Sequence, residues 1–125
     1  MYTLDQLNTR KASETPYTFE FTFDGKPSGI MLSVVGQQSE TFTQKATELG
    51  KKFALAEGIE KANEFLPSSR NRELIDRLAA ARLIEWAGIA DTLTDETAYQ
   101  FVRDTAGAFE QIVAASNKIG NFIQL

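Results

Sequence analysis

Between Tyr17 and Phe23 the chain reads Tyr-Thr-Phe-Glu-Phe-Thr-Phe, with four aromatic residues on every second position and only threonine and glutamate between them. A period of two is that of a β-strand, whose side chains alternate between its two faces. One face of such a strand is all aromatic rings and the other all polar groups. Water excludes the ring face, so this stretch demands a second layer, either the chain's own helices or another protein.

The residues after this strand narrow the choice. The run Asp24-Gly25-Lys26-Pro27-Ser28-Gly29 is turn chemistry, and it reads as a loop longer than the tightest hairpin. Ile30 to Val35, IMLSVV, is a second apolar and β-branched run, so the two strands are expected to pair antiparallel. A two-stranded sheet is marginal in water, so a third strand or a helical cover is required, and any third strand is expected from the N-terminal arm or from a partner. The arm, residues 1–14, is polar; Leu4 and Leu7 pin it as a helical turn or a strand edge, or leave it loose and flexible.

After Gln38 the period changes to 3.6. Phe42, Ala46, Leu49 and Phe53 recur at spacings of four, three and four, which predicts a helix from near Ser39 to about Ala56. Gly50 inside it costs roughly 1 kcal/mol relative to alanine and does not break it. The simplest cover for the aromatic face is this helix, through Phe42, Leu49 and Phe53. Residues 57–65 suggest one more short turn, and Leu66-Pro67-Ser68-Ser69 is a break with Ser68 or Ser69 as cap. A second helix is expected from Arg70 to Ala87, closing at Gly88, with a broad apolar stripe through Leu74, Ile75, Leu78, Ala81, Ile84 and Trp86. A third starts at Asp95 with Thr94 as its cap and runs to about Thr105; Val102, Ala106, Phe109 and Val113 carry the helical period on to Ser116. Gly107 is either a joint between two helices or tolerated within one. Ile119, Phe122, Ile123 and Leu125 then pack back or stay free for a partner. The fold class is α+β: a small antiparallel hairpin or sheet over residues 15–36, then a body of about four helices over 38–125, in one domain of 125 residues.

The composition removes much chemistry. Neither cysteine nor histidine occurs, so disulfides, thiol nucleophiles, imidazole bases and Cys/His zinc sites are excluded. Glycines 25, 29 and 36 form neither a phosphate loop nor a dinucleotide fingerprint. Glu57, Glu60 and Glu64 have a spacing that suits one face of a turn, where a divalent ion or solvent is the alternative. Asp91, Asp95 and Glu96 gather at a helix start, where capping accounts for them. The residues therefore point away from an enzyme and call for no cofactor. A net charge of -4 with scattered lysines and arginines argues against nucleic acid. With no run of 18 apolar residues, no membrane span is expected, and the protein is expected to be soluble and intracellular. Binding is what remains. Trp86, flanked by Ile84 and Ile89, is either a core residue stacked near Tyr99 and Phe101 or an interface anchor. Arg70, Arg72, Arg77 and Arg82 pair with Asp76, Glu85 or the Asp91–Glu96 acids, or meet an acidic partner.

Three short motifs carry a family resemblance. They are Trp86 with Gly88 and Ile89, the helix start Thr94-x-Glu96-x-Ala98, and the closing Asn121-Phe122, all behind a β-rich beginning. In this order the chain resembles the tail assembly chaperones of long-tailed bacteriophages, closely over about its last 55 residues and loosely in the hairpin. The resemblance implies a non-enzymatic adaptor in the host cell cytoplasm. Such a protein binds the tape measure protein, recruits tail tube protein and is shed as the tube grows; many relatives also have a longer, frameshifted product. It further implies homo-oligomer formation if the broad stripe stays uncovered, and partner-facing roles for Trp86, Ile89, Arg70, Arg72, Phe122 and Ile123. The rival expectations are a structural minor tail or head–tail joining protein, and a small acidic regulator of a host protein.

Overall fold

The computed structural model describes residues 1–56 and 68–123. Its sheet has three antiparallel strands in the order β1-β2-β3: Tyr17–Phe23, Lys26–Val34 and Leu83–Ala87. The β1–β2 turn is tighter than the sequence suggested, with Phe23 paired to Lys26 and only Asp24 and Gly25 between them. Both have positive φ, 48° and 80°, the backbone of a two-residue turn that matches strand twist. Pro27 already belongs to β2, where its missing N–H does no harm because β3 reaches only Met31 to Val34. Between the Glu20–Met31 and Thr22–Pro27 pairs the register slips, and Ser28, Gly29 and Ile30 bulge out opposite Phe21. Glu20 holds the bulge by accepting a hydrogen bond from the Gly29 N–H at 2.9 Å.

Five helices complete the described chain. They are α1 (Thr9–Ala12), α2 (Glu40–Ala56), α3 (Ser68–Ala80), α4 (Asp95–Asp104) and α5 (Ala108–Asn117), followed by a 3-10 turn over Ile119–Asn121. Ser39 caps α2, accepting from the Phe42 N–H at 3.1 Å, and Thr94 caps α4 in a reciprocal box with Thr97. Gly107 is a joint: at φ 84° it lets the chain turn between α4 and α5. The arm is tied where Ser13 accepts from the Gly36 N–H at 2.8 Å, whereas Leu4 and Leu7 stay exposed. The expected turn over 57–65 and the Leu66-Pro67 break lie outside the described residues; Ser68 begins α3.

Most of the aromatic face is covered at home, though not by the expected helix; Phe23 at its end stays 49% exposed. Phe21, Leu32, Val34 and Leu83 of the sheet bury against Ala79 and Ala80 of α3, Tyr99 and Val102 of α4, and Ala108 and Ile112 of α5. Phe101 meets the Phe21 ring edge-on at 5.4 Å, and Phe122 meets Tyr17 at 6.2 Å. The stripe of α2 lies elsewhere: Phe42 joins Val35, Ala81, Ala46 and Leu49 in a second, smaller cluster. Helix α5 packs on both α3 and the sheet, and α4 packs on α3 and meets the sheet through Phe101 against Phe21 and Trp86, whereas α2 touches mainly α3.

Two further expectations are corrected by one observation. The helix expected from Arg70 to Ala87 stops at Ala80, and Leu83–Ala87 is β3. The third strand therefore comes from this segment, not from the arm or a partner. Leu83, Ile84, Glu85, Trp86 and Ala87 include good helix formers, but propensity is a weak prior against tertiary gain. As a strand they complete the open side of β2 and set Trp86 opposite Leu32 on the core face. The stripe was too broad for one helix because it spans two elements of different period.

Candidate functional site

Strand β3 places Trp86 at the rim of the core. Its ring stands edge-on to Phe101 at 5.9 Å, and its indole N–H donates to the Asp91 carbonyl at 3.0 Å. That bond ties the segment after β3 back alongside it. The Thr97 hydroxyl, on α4, donates to the Thr92 carbonyl at 2.7 Å and fixes the same segment from its other end. A cleft of about 500 Å³ is left between the two walls. Leu83, Ile84, Glu85 and Trp86 form one wall, residues 91–95 the other, and Lys45 of α2 reaches in, with Ile89 and Ala98 also lining it.

The cleft is mixed in character. Its apolar part is Leu83, Ile84, Trp86, Ile89 and Leu93, with Ile84 36% exposed. Its charged part is Glu85, Asp91 and Asp95 against Lys45. The three carboxylates are exposed, and none makes an ion pair of 4 Å or less with the described residues.

A second cleft, of about 310 Å³, lies between α2, α3 and the start of α4, and its charges are largely matched. Arg77 donates to Glu73 at 2.8 Å and to Glu96 at 3.2 Å while stacking 4.0 Å over the Tyr99 ring. The Arg77 hydrogen bond holds the Glu73 carboxyl below its ordinary range. Burial by itself lowers the Arg77 guanidinium, but its bonds to Glu73 and Glu96 outweigh this and raise it. Arg82 contrasts with it. Burial lowers its pKa to about 10; it donates to the Leu78 carbonyl at 2.7 Å, stacks 4.2 Å over Phe42, and leaves Nε without an acceptor.

The residues singled out from sequence do not form one surface. Trp86 and Ile89 line the first cleft, and Arg70 lines the second. Arg70 pairs with Glu73 and stacks 4.4 Å over Phe53; exposed Arg72 approaches Asp76 at 3.4 Å. Phe122 and Ile123 are half-buried beyond the 3-10 turn, where Phe122 packs against Tyr17. Trp86 fits its stacked reading through Phe101, yet it also lines the cleft. Sequence reasoning missed Ile84, Lys45 and Glu85 as cleft residues and treated Asp91 and Asp95 as capping groups. Their proximity depends on β3, which reads as helix.

Among the described residues no helix is long and apolar enough to cross a membrane, and no group of three Asp or Glu side chains gathers to hold a metal ion. The Glu57, Glu60 and Glu64 spacing lies outside the described residues. No family model, curated protein or solved structure matches this chain.

Proposed function

We propose that this chain is a non-enzymatic assembly chaperone of phage tails, binding the tape measure protein and tail tube protein in the host cell cytoplasm. The observation that carries the binding part is the β3 cleft, a mixed apolar and charged recess beside a strand at the sheet's margin. Recesses of this kind suit peptide segments, because the backbone edge gives affinity and the side-chain pockets give selectivity. The tail-specific part rests on the resemblance. Four of its positions, Trp86, Ile89, Thr94 and Ala98, line that same cleft although they are spread over 13 residues of sequence.

The test is co-expression of the full chain with the tape measure and tail tube proteins of one phage, followed by affinity capture and by analysis of finished particles. The expected result is capture of the tape measure protein and absence of this chain from particles. Capture of neither soluble partner overturns the assignment. Presence in the particles replaces it with a structural minor tail or head–tail joining role.

A further inference from the structure

We infer that the β3 cleft takes an extended, basic segment of a partner protein as a fourth strand on the outer edge of β3. The inference rests on the binding part of the proposed function and not on the partner's identity.

Strand β3 is at the margin of the sheet, and its inner side is occupied by β2. Among the described residues, residues 84–87 make no backbone hydrogen bond outside the sheet. An edge of this kind carries outward N–H and C=O groups and is a template for one more strand, about 4.8 Å away. The opposite edge is treated differently. On β1 the Gln111 side chain accepts from the Thr22 N–H at 3.0 Å and donates to the Thr22 carbonyl at 2.8 Å, closing both groups from α5. No side chain does this for β3 among the described residues.

Charge selects the occupant. Glu85 sits on β3 itself, while Asp91 and Asp95 stand on the facing wall, against the single ammonium of Lys45. A segment with lysine or arginine at alternate positions meets carboxylates that have no ion-pair partner among the described residues, and an acidic segment is repelled. Ile84 is the extra residue of the β2–β3 ladder, and the intervening apolar residues of that segment meet Trp86 and Leu93 in the recess. A second copy of the chain is a poor occupant. Pairing of two β3 edges brings two Glu85 side chains into one small sheet, and β1, the other edge, carries Glu20 and no basic residue.

The experiment uses the full chain and a capped nonapeptide alternating valine and lysine. Its controls are the same peptide with glutamate for lysine, and two forms N-methylated on one or the other set of alternate residues. The expected result is binding of the lysine peptide with amide shifts confined to 83–95, and no binding of the glutamate peptide. One N-methylated form loses binding and the other keeps it, since only every second N–H faces β3. Glu85→Lys with Asp91→Lys weakens binding by about tenfold or more. Glu110→Lys with Asp5→Lys, which alters net charge equally away from the cleft, changes it far less. Equal binding of the glutamate peptide, indifference to both N-methylations, shifts outside the cleft, or no binding overturns the inference. If the tape measure protein is captured but the lysine peptide does not bind at the cleft, the chaperone reading stands and this one falls. If the peptide binds as described and neither tail protein is captured, the reverse holds.

Discussion

At Gly88 the backbone has φ 89°, and a Cβ added there would stand 2.7 Å from the Gly29 carbonyl oxygen. Two penalties therefore coincide, a left-handed backbone and a clash with backbone that has no flexible end to move. At Gly25, with φ 80°, there is nothing within 4 Å and only the first applies. Gly25→Ala is expected to cost about 1 kcal/mol and Gly88→Ala at least about 2 kcal/mol more, measured by urea denaturation. Equal costs would show that the β2 bulge gives way at Gly29. Gln111 makes a second residue-scale case. Its two bonds to Thr22 stand in for a neighbouring strand, so Gln111→Ala is expected to lose about 1–2 kcal/mol and to speed amide exchange at Thr22. Neither feature is legible in the sequence: the glycine looks like a helix cap and the glutamine like a solvated helix residue.

Helices α3 and α4 are joined by the Glu73–Arg77–Glu96 chain. The Glu73 carboxyl is held below its ordinary pKa by Arg77, so its contribution is present above the unfolded-state pKa of about 4.3 and is lost as pH falls through the folded value. The stability gap between the wild type and Glu73→Gln is therefore expected to close as pH drops from 5 toward 2, in melts at matched ionic strength. A gap unchanged over that range would remove the pair from the stability of α3. Element identity is tested at β3. Residues 83–87 are good helix formers held as strand by β2, so a free peptide of residues 70–88 in trifluoroethanol is expected to show helical Cα shifts through 87. Extended shifts at 83–87 in that peptide would mean that local preference, not the sheet, sets the strand. Element by element, α2, α4 and the β1–β2 hairpin were legible because caps, turn residues and periodicity agree there. Strand β3 was not, because its pattern gains meaning only beside Met31 to Val34.

For the whole molecule, the core divides unequally. The larger cluster joins all three strands to α3, α4 and α5, while α2 meets α3 where Phe53 lies under Arg70, and its Phe42 joins Val35 and Ala81 in the smaller cluster. Opening α2 exposes the smaller cluster and Phe53 but leaves the larger cluster intact, so its amides are expected to exchange through a partial opening of lower free energy than β2 or α5. Native-state hydrogen exchange in low denaturant checks this; one common free energy for α2, β2 and α5 would mean a single cooperative unit. The candidate site follows the same division. Trp86 and Ile89 were legible as large apolar residues beside a glycine, but the recess they line needs β3, the 91–95 segment and Lys45 from a third element together.

The sequence alone determined that this chain has an aromatic strand face needing cover, a hairpin to carry it, helices with their starts marked at Ser39 and Thr94, and no thiol or imidazole chemistry. These follow from side-chain types and near-neighbour spacing, which act over one turn or one strand. Which helices cover the aromatic face, whether 83–87 is helix or strand, and which edge of the sheet is left open were decided only by tertiary structure. Each compares long-range burial and strand pairing with a local preference of about 1 kcal/mol or less per residue, and the long-range terms are larger.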